Sequence, residues 1–138
     1  MKANSDVAPE AAGSSGSAAV GWHLLVDLHG AINLDSIAAI DEALRRAARS
    51  CGATLLDVRL HSFGEGAGVT GVALLAESHI SIHTWPEAAY AAIDVFMCGS
   101  LDPRLALPTL RAAFRATSEH VQEVRRGGGH TVPNAWRS

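Results

Sequence analysis

At 138 residues the chain is long enough to bury one core without crosslinks, and its 48% apolar and 18% charged content suits a folded, water-soluble domain. A formal charge of -3 and an isoelectric point near 6.1 exclude nucleic acid as the partner, because phosphate binding needs a basic stripe and none is visible. Two cysteines, Cys51 and Cys98, allow one disulfide at most and give no sign of an oxidising compartment, so the cytoplasm is the expected location.

Residues 1–20 are a run of Ala, Gly, Ser and Asn without an apolar core, which predicts a disordered tail and neither a signal peptide nor a membrane span. Trp22 to Leu28 alternates and predicts a strand. Asn33 or Asp35 can then cap a helix whose apolar residues Ile37, Ile40, Leu44, Ala47 and Cys51 share one face. Arg45, Arg46 and Arg49 suit its negative end, and Gly52 stops it. Thr54 to Phe63 alternates again, with Leu56, Val58 and Leu60 on one face and Asp57, Arg59, His61 and Phe63 on the other. A loop at 64–67 leads to strands at 69–76, 78–85 and 91–98, the last two joined by a turn over Pro86 to Tyr90. Asp102-Pro103 opens a second helix with Leu107, Leu110, Ala113 and Phe114 on its buried side, and Pro108 predicts an irregular first turn. Glu119 to Arg126 is a last strand, and 127–138 is a flexible tail. The sum is one α+β domain over residues 21–126, a mostly antiparallel sheet with two helices packed on one face.

Chemistry concentrates in Glu77-Ser78-His79-Ile80-Ser81-Ile82-His83-Thr84-Trp85-Pro86-Glu87 and Ala91 to Gly99, where a hydroxyl, an imidazole and a thiol stand in an otherwise apolar stretch. Pairing Trp85 with Ala91 across the turn sets Ser78 opposite Cys98, with Cβ atoms roughly 4.5–5.5 Å apart. His83 falls on the other face of a regular strand, about 16–17 Å along it, so a bulge, a bend or a partner subunit must unite it with Ser78 if the two cooperate. His79 and His83 share the spacing of a metal pair only on a helix; on a strand they lie about 13 Å apart, and no metal is expected.

These segments, together with Gly68-Val69-Thr70-Gly71, resemble the prokaryotic S-adenosylmethionine decarboxylase proenzymes. The resemblance implies self-cleavage between Glu77 and Ser78 into a β chain, 1–77, and an α chain, 78–138. Ser78 would become a pyruvoyl group, the chain's own cofactor, able to hold a substrate amine as a Schiff base and accept electrons when CO2 leaves. It further implies His83 as proton acceptor in processing and Cys98 as proton donor in turnover. Phe63 would stack on adenine with His83 on its other side, Glu87 would bond ribose, and Thr70 and Glu77 would line the pocket. By the same resemblance the substrate would be a small molecule, the product would feed spermidine synthesis, and the assembly would be a homo-oligomer of cleaved protomers, at least a dimer. Three departures stand out: a longer loop carrying Glu65, Thr70 in place of serine, and Ala31 where many members carry cysteine. The added carboxylate suits an ornithine or arginine decarboxylase as an alternative, and a non-catalytic regulatory homologue is the alternative of another class.

Overall fold

Antiparallel pairing organises the chain. In a computed structural model that describes residues 20–128, the elements run β1 (Gly21–His29), α1 (Ile37–Ser50), β2 (Leu55–Ser62), β3 (Val69–Leu75), β4 (Ser78–Trp85), β5 (Tyr90–Cys98), α2 (Leu107–Phe114) and β6 (Ser118–Arg126). The six strands form one sheet in the order β2-β3-β4-β5-β1-β6, every neighbouring pair antiparallel. The expected α+β architecture is therefore present. Most of the two tails lies outside the described residues; at the junction, Val20 is tied to the end of β6, donating to the Arg126 carbonyl at 2.8 Å.

Strict alternation divides the sheet into two faces. On β4 and β5 Ser78, Ile80, Ile82, Thr84, Ala91, Ile93, Val95 and Met97 are buried, while the residues between them are half-exposed. The buried face packs with Leu24, Val26 and Leu28 of β1 against Ile40, Leu44 and Ala47 of α1 and Leu110 and Phe114 of α2. Each fully covered large side chain contributes on the order of 1.5–3 kcal/mol. The other face carries no helix. It presents His23, Leu25 and Asp27 of β1, Leu74 of β3, His79, His83 and Trp85 of β4, and Tyr90, Asp94 and Phe96 of β5.

Local chemistry moved several predicted details. Ser36, not Asn33 or Asp35, caps α1, its hydroxyl accepting from Ala39 N at 3.0 Å; Asn33 instead takes a left-handed turn at φ +67°. A bulge between Leu55 and Asp57 turns Leu56 outward and gives its core place to Leu55. Asp102 does cap, but it opens a short 3-10 turn, Pro103–Ala106, before α2 begins. Pro108 then sits in the first turn of α2, where its missing N–H leaves no intrahelical bond unmade.

Candidate active site

The β3–β4 hairpin turns on two residues, Ala76 and Glu77, with Leu75 paired to Ser78. Glu77 has φ +64°, a left-handed conformation that such turns usually give to Gly or Asn. A residue with a Cβ held there stores strain of order 1–3 kcal/mol. The strained residue is the one whose carbonyl precedes Ser78.

Ser78 and Cys98 are not directly opposed, which corrects the expected register. A 3-10 turn over Pro86–Ala88 with Ala89 at φ +52° closes the β4–β5 hairpin in four residues, so Trp85 pairs with Tyr90 and His79 with Phe96. That one-residue offset puts Ser78 on the core side, 8% exposed, and Cys98 on the side away from the helices. Both nevertheless converge on one peptide. The Cys98 backbone N–H donates to Ser78 Oγ at 3.0 Å, and the Cys98 thiol donates to the Glu77 carbonyl oxygen.

His83 stands at the other end of the same strand. No bulge interrupts β4 between Ser78 and Trp85 against either neighbour, so the two residues keep opposite faces and a separation of about 16–17 Å along the strand. Around His83 the structure gathers the remaining predicted side chains. Thr70 pairs with His83 across β3–β4. Phe63 is exposed, bonds Gly68 O through its backbone N at 3.0 Å, and meets His61 edge-on at 4.7 Å. Gly68 in turn lies so close to the Thr84 carbonyl that a Cβ there would collide with it, and Pro86, next to the exposed Glu87, packs on the same spot. Between His83 and Trp85, the buried Thr84 hydroxyl donates to Leu34 O at 2.6 Å and accepts from Val69 N at 2.9 Å, fixing this end of β4 to β3 and to the loop before α1.

Two features went unread in the sequence. Trp85 stacks on His83, and i, i+2 residues of a strand do share a face, so the pattern was available. A polar row also crosses four strands: Ser81 donates to Asp94 at 3.0 Å, His23 Nε2 meets Asp94 at 3.2 Å, and Arg126 reaches His23 Nδ1 at 3.0 Å. Burial, then the neighbouring His23, lowers the pKa of His79 beside this row, with Asp94 opposing. Cys51 is a core residue whose thiol is pushed up to about 12, chiefly by desolvation. A pocket of about 320 Å³ opens elsewhere, between Trp22, residues 99–104 and Glu123, its Arg104 already paired with Asp102.

Sheet, helices and the strained hairpin define a two-layer α+β domain with a buried serine at a turn and a stacked imidazole at the far end of the same strand. The chain belongs to the S-adenosylmethionine decarboxylase family, whose model matches residues 22–127. It is 47% identical over 109 residues to an S-adenosylmethionine decarboxylase proenzyme of Thermomicrobium roseum, covering 78% of this chain and 94% of the relative. The proenzyme of that name in Methanococcus aeolicus is 45% identical over 111 residues, covering 78% and 94%. The crystal structure of the adenosylmethionine decarboxylase from Aquifex aeolicus superposes with a TM-score of 0.71 at 34% identity, covering 79% of this chain and 92% of that one.

Proposed function

We propose that the chain is a self-processing, pyruvoyl-dependent S-adenosylmethionine decarboxylase, forming the aminopropyl donor for spermidine synthesis. The observation that carries this reading is the Glu77-Ser78 peptide itself: a strained residue, a carbonyl oxygen accepting a thiol hydrogen bond, and a hydroxyl held beside them. Attack of Ser78 Oγ on the Glu77 carbonyl carbon forms a C–O bond and breaks the C–N bond, leaving an ester. Loss of the Ser78 Cα proton then expels the Glu77 carboxylate, and water releases ammonia from the remaining fragment. His83 takes up a proton in this sequence.

The residues present fit the cofactor this produces. Ser78 begins β4, a strand bonded on both sides, so the new amino terminus stays where the uncut chain held it. The group supplies an electrophilic carbonyl that holds the substrate amine and draws electrons as CO2 leaves. Cys98, whose backbone and thiol both address this point, returns a proton to the substrate carbon. Phe63 and His83 offer rings for adenine, Glu87 a carboxylate for ribose, and Thr70 and Glu77 polar lining.

A single protomer does not assemble all of these, since Ser78 and Cys98 lie at one end of β4 and His83, Thr70 and Phe63 at the other. The helix-free face supports the remedy. It is populated by imidazoles and aromatic rings, with Leu74 and Phe63 strongly exposed, as expected of a covered surface. Two copies packed face to face and head to tail would place the His83 end of one against the Ser78 end of the other. Among the described residues no helix is long and apolar enough to cross a membrane.

The names of the relatives do not favour the basic-amino-acid or the non-catalytic alternatives. The deciding experiment measures CO2 release from labelled S-adenosylmethionine, ornithine and arginine in parallel, with intact mass read on the same sample. Release from S-adenosylmethionine by a protein cut into 1–77 and 78–138 is the expected result. Release only from a basic amino acid, or an active uncut chain, would overturn it.

A further inference from the structure

We propose that Trp85 is a positioning residue for His83, an inference that rests on the substrate-binding role of His83 proposed above. The two rings are parallel to within 9° with centroids 3.9 Å apart, the closest and flattest aromatic contact among the described residues. Trp85 is held from behind. Its indole stacks on Tyr90 at 5.0 Å, Tyr90 stacks on His29 at 5.2 Å, and the Tyr90 hydroxyl donates to Asp27 at 2.6 Å. The hydrogen bond to Asp27 is also what raises the pKa of Tyr90 most. Asp27, Tyr90 and Trp85 thus form a column across β1, β5 and β4 that ends on one face of the imidazole.

The consequence is directional. An imidazole on a half-exposed strand position has several rotamers open to it, and stacking on the indole selects one ring plane. With one face against Trp85, His83 keeps the opposite face for a flat ligand, and adenine stacked there continues an existing column. Binding to a fixed ring avoids ordering that ring when substrate arrives. Trp85 acts through His83 and touches neither the scissile peptide nor the reacting carbon.

The test uses full-length cleaved enzyme and compares Trp85→Ala and Trp85→Phe with the parent at equal cleaved fraction, reading KM and kcat for S-adenosylmethionine separately and thermal midpoint as a folding control. His83→Ala, whose cleavage is itself expected to be slow, is compared in an uncut Ser78→Ala background by equilibrium binding of S-adenosylmethionine. Loss of an aligned stacking surface predicts that Trp85→Ala raises KM about tenfold with kcat changed less than about threefold, and that Trp85→Phe stays within about threefold of the parent KM. Equal loss in the Phe and Ala variants with a lowered midpoint identifies a merely structural residue and overturns the proposal. Unchanged KM in Trp85→Ala while His83→Ala loses binding overturns the positioning role alone; unchanged KM in Trp85→Ala with unchanged binding in His83→Ala overturns it together with the role of His83. If Trp85→Ala fails to fold, an unaltered KM in Tyr90→Phe, which cuts the column from Asp27, overturns it, and a KM raised about two- to threefold supports it.

Discussion

The two ends of β4 are built by different physics. At Ser78 the backbone does the arranging: a turn residue in a left-handed conformation, a buried hydroxyl, an amide and a thiol aimed at the same peptide. At His83 side-chain rings do it, stacked on an open sheet face with the helices on the opposite side. The first end has its partners within one chain. The second presents unfinished surface, so the bond proposed to be cut is prepared locally while the ring proposed as its base would come from a second copy.

The sharpest break of that contrast is complementation. Ser78→Ala should abolish cleavage outright, and His83→Ala, lacking the proposed proton acceptor, should slow it by about 10²–10⁴-fold. If the two ends meet only between copies, co-expressing the two variants pairs the intact Ser78 of one chain with the intact His83 of the other. Intact mass should then show cleavage of the His83→Ala chain alone, at a rate neither variant reaches by itself. A mixture cut no faster than His83→Ala alone would return His83 to its own Ser78 and refute the shared site.

Cys98→Ala tests the local half. The thiol is proposed as the turnover acid, yet in the uncut chain it already bonds the Glu77 carbonyl, the proposed point of attack. Its removal should slow turnover by about 10²–10⁴-fold and slow cleavage by about tenfold, since one donor to a developing oxyanion is lost and a thiol is a weak one. A cleavage half-time equal to the parent's would confine Cys98 to the later step.

Much of this contrast was legible in the sequence. Period-two alternation marks Ser78–Trp85 as a strand and, because the two are five positions apart, sets Ser78 and His83 on opposite faces. What escaped depends on turn geometry. The left-handed Ala89 shortens the β4–β5 connection by one residue, and no pattern in Pro86 to Tyr90 signals a non-glycine in that conformation. The same is true of Glu77, so its strain and the reach of Cys98 to its carbonyl emerge only with the folded hairpin. The cap at Ser36 and the bulge that expels Leu56 are smaller instances, each a choice between adjacent, chemically similar residues.

Glu77→Gly measures the strain at the local end. In a Ser78→Ala background, where nothing is cut, glycine relieves the left-handed penalty but enlarges the entropy of the unfolded chain. The net gain should be about 0.5–1 kcal/mol, a rise of roughly 2–6 °C in the thermal midpoint. An unchanged or lower midpoint would mean that the turn stores nothing the scissile peptide can use.

The smallest effect belongs to His79, which neighbours Ser78 in sequence but faces the side of His83. Its ring meets His23 of β1 at 6.3 Å and stacks on Phe96 of β5 at 5.6 Å, with Leu74 of β3 paired to it, Asp94 nearby, and Arg126 of β6 bonded to His23. Desolvation first, then His23, holds its pKa below the ordinary 6.5 despite Asp94. The folded state therefore binds this proton less readily than the unfolded chain, and stability rises with pH through that window and falls as pH drops below about 6.5. Denaturant midpoints measured from pH 7.5 down to 5.5 should decline, and His79→Gln should flatten part of the decline while leaving the value at pH 7.5 within about 1 kcal/mol of the parent. Covering the open face with a second copy removes more water from the ring, so the decline should steepen at protein concentrations that favour assembly. A slope independent of both the substitution and the concentration would show that His79 stays wet and that this part of the face is not where copies meet.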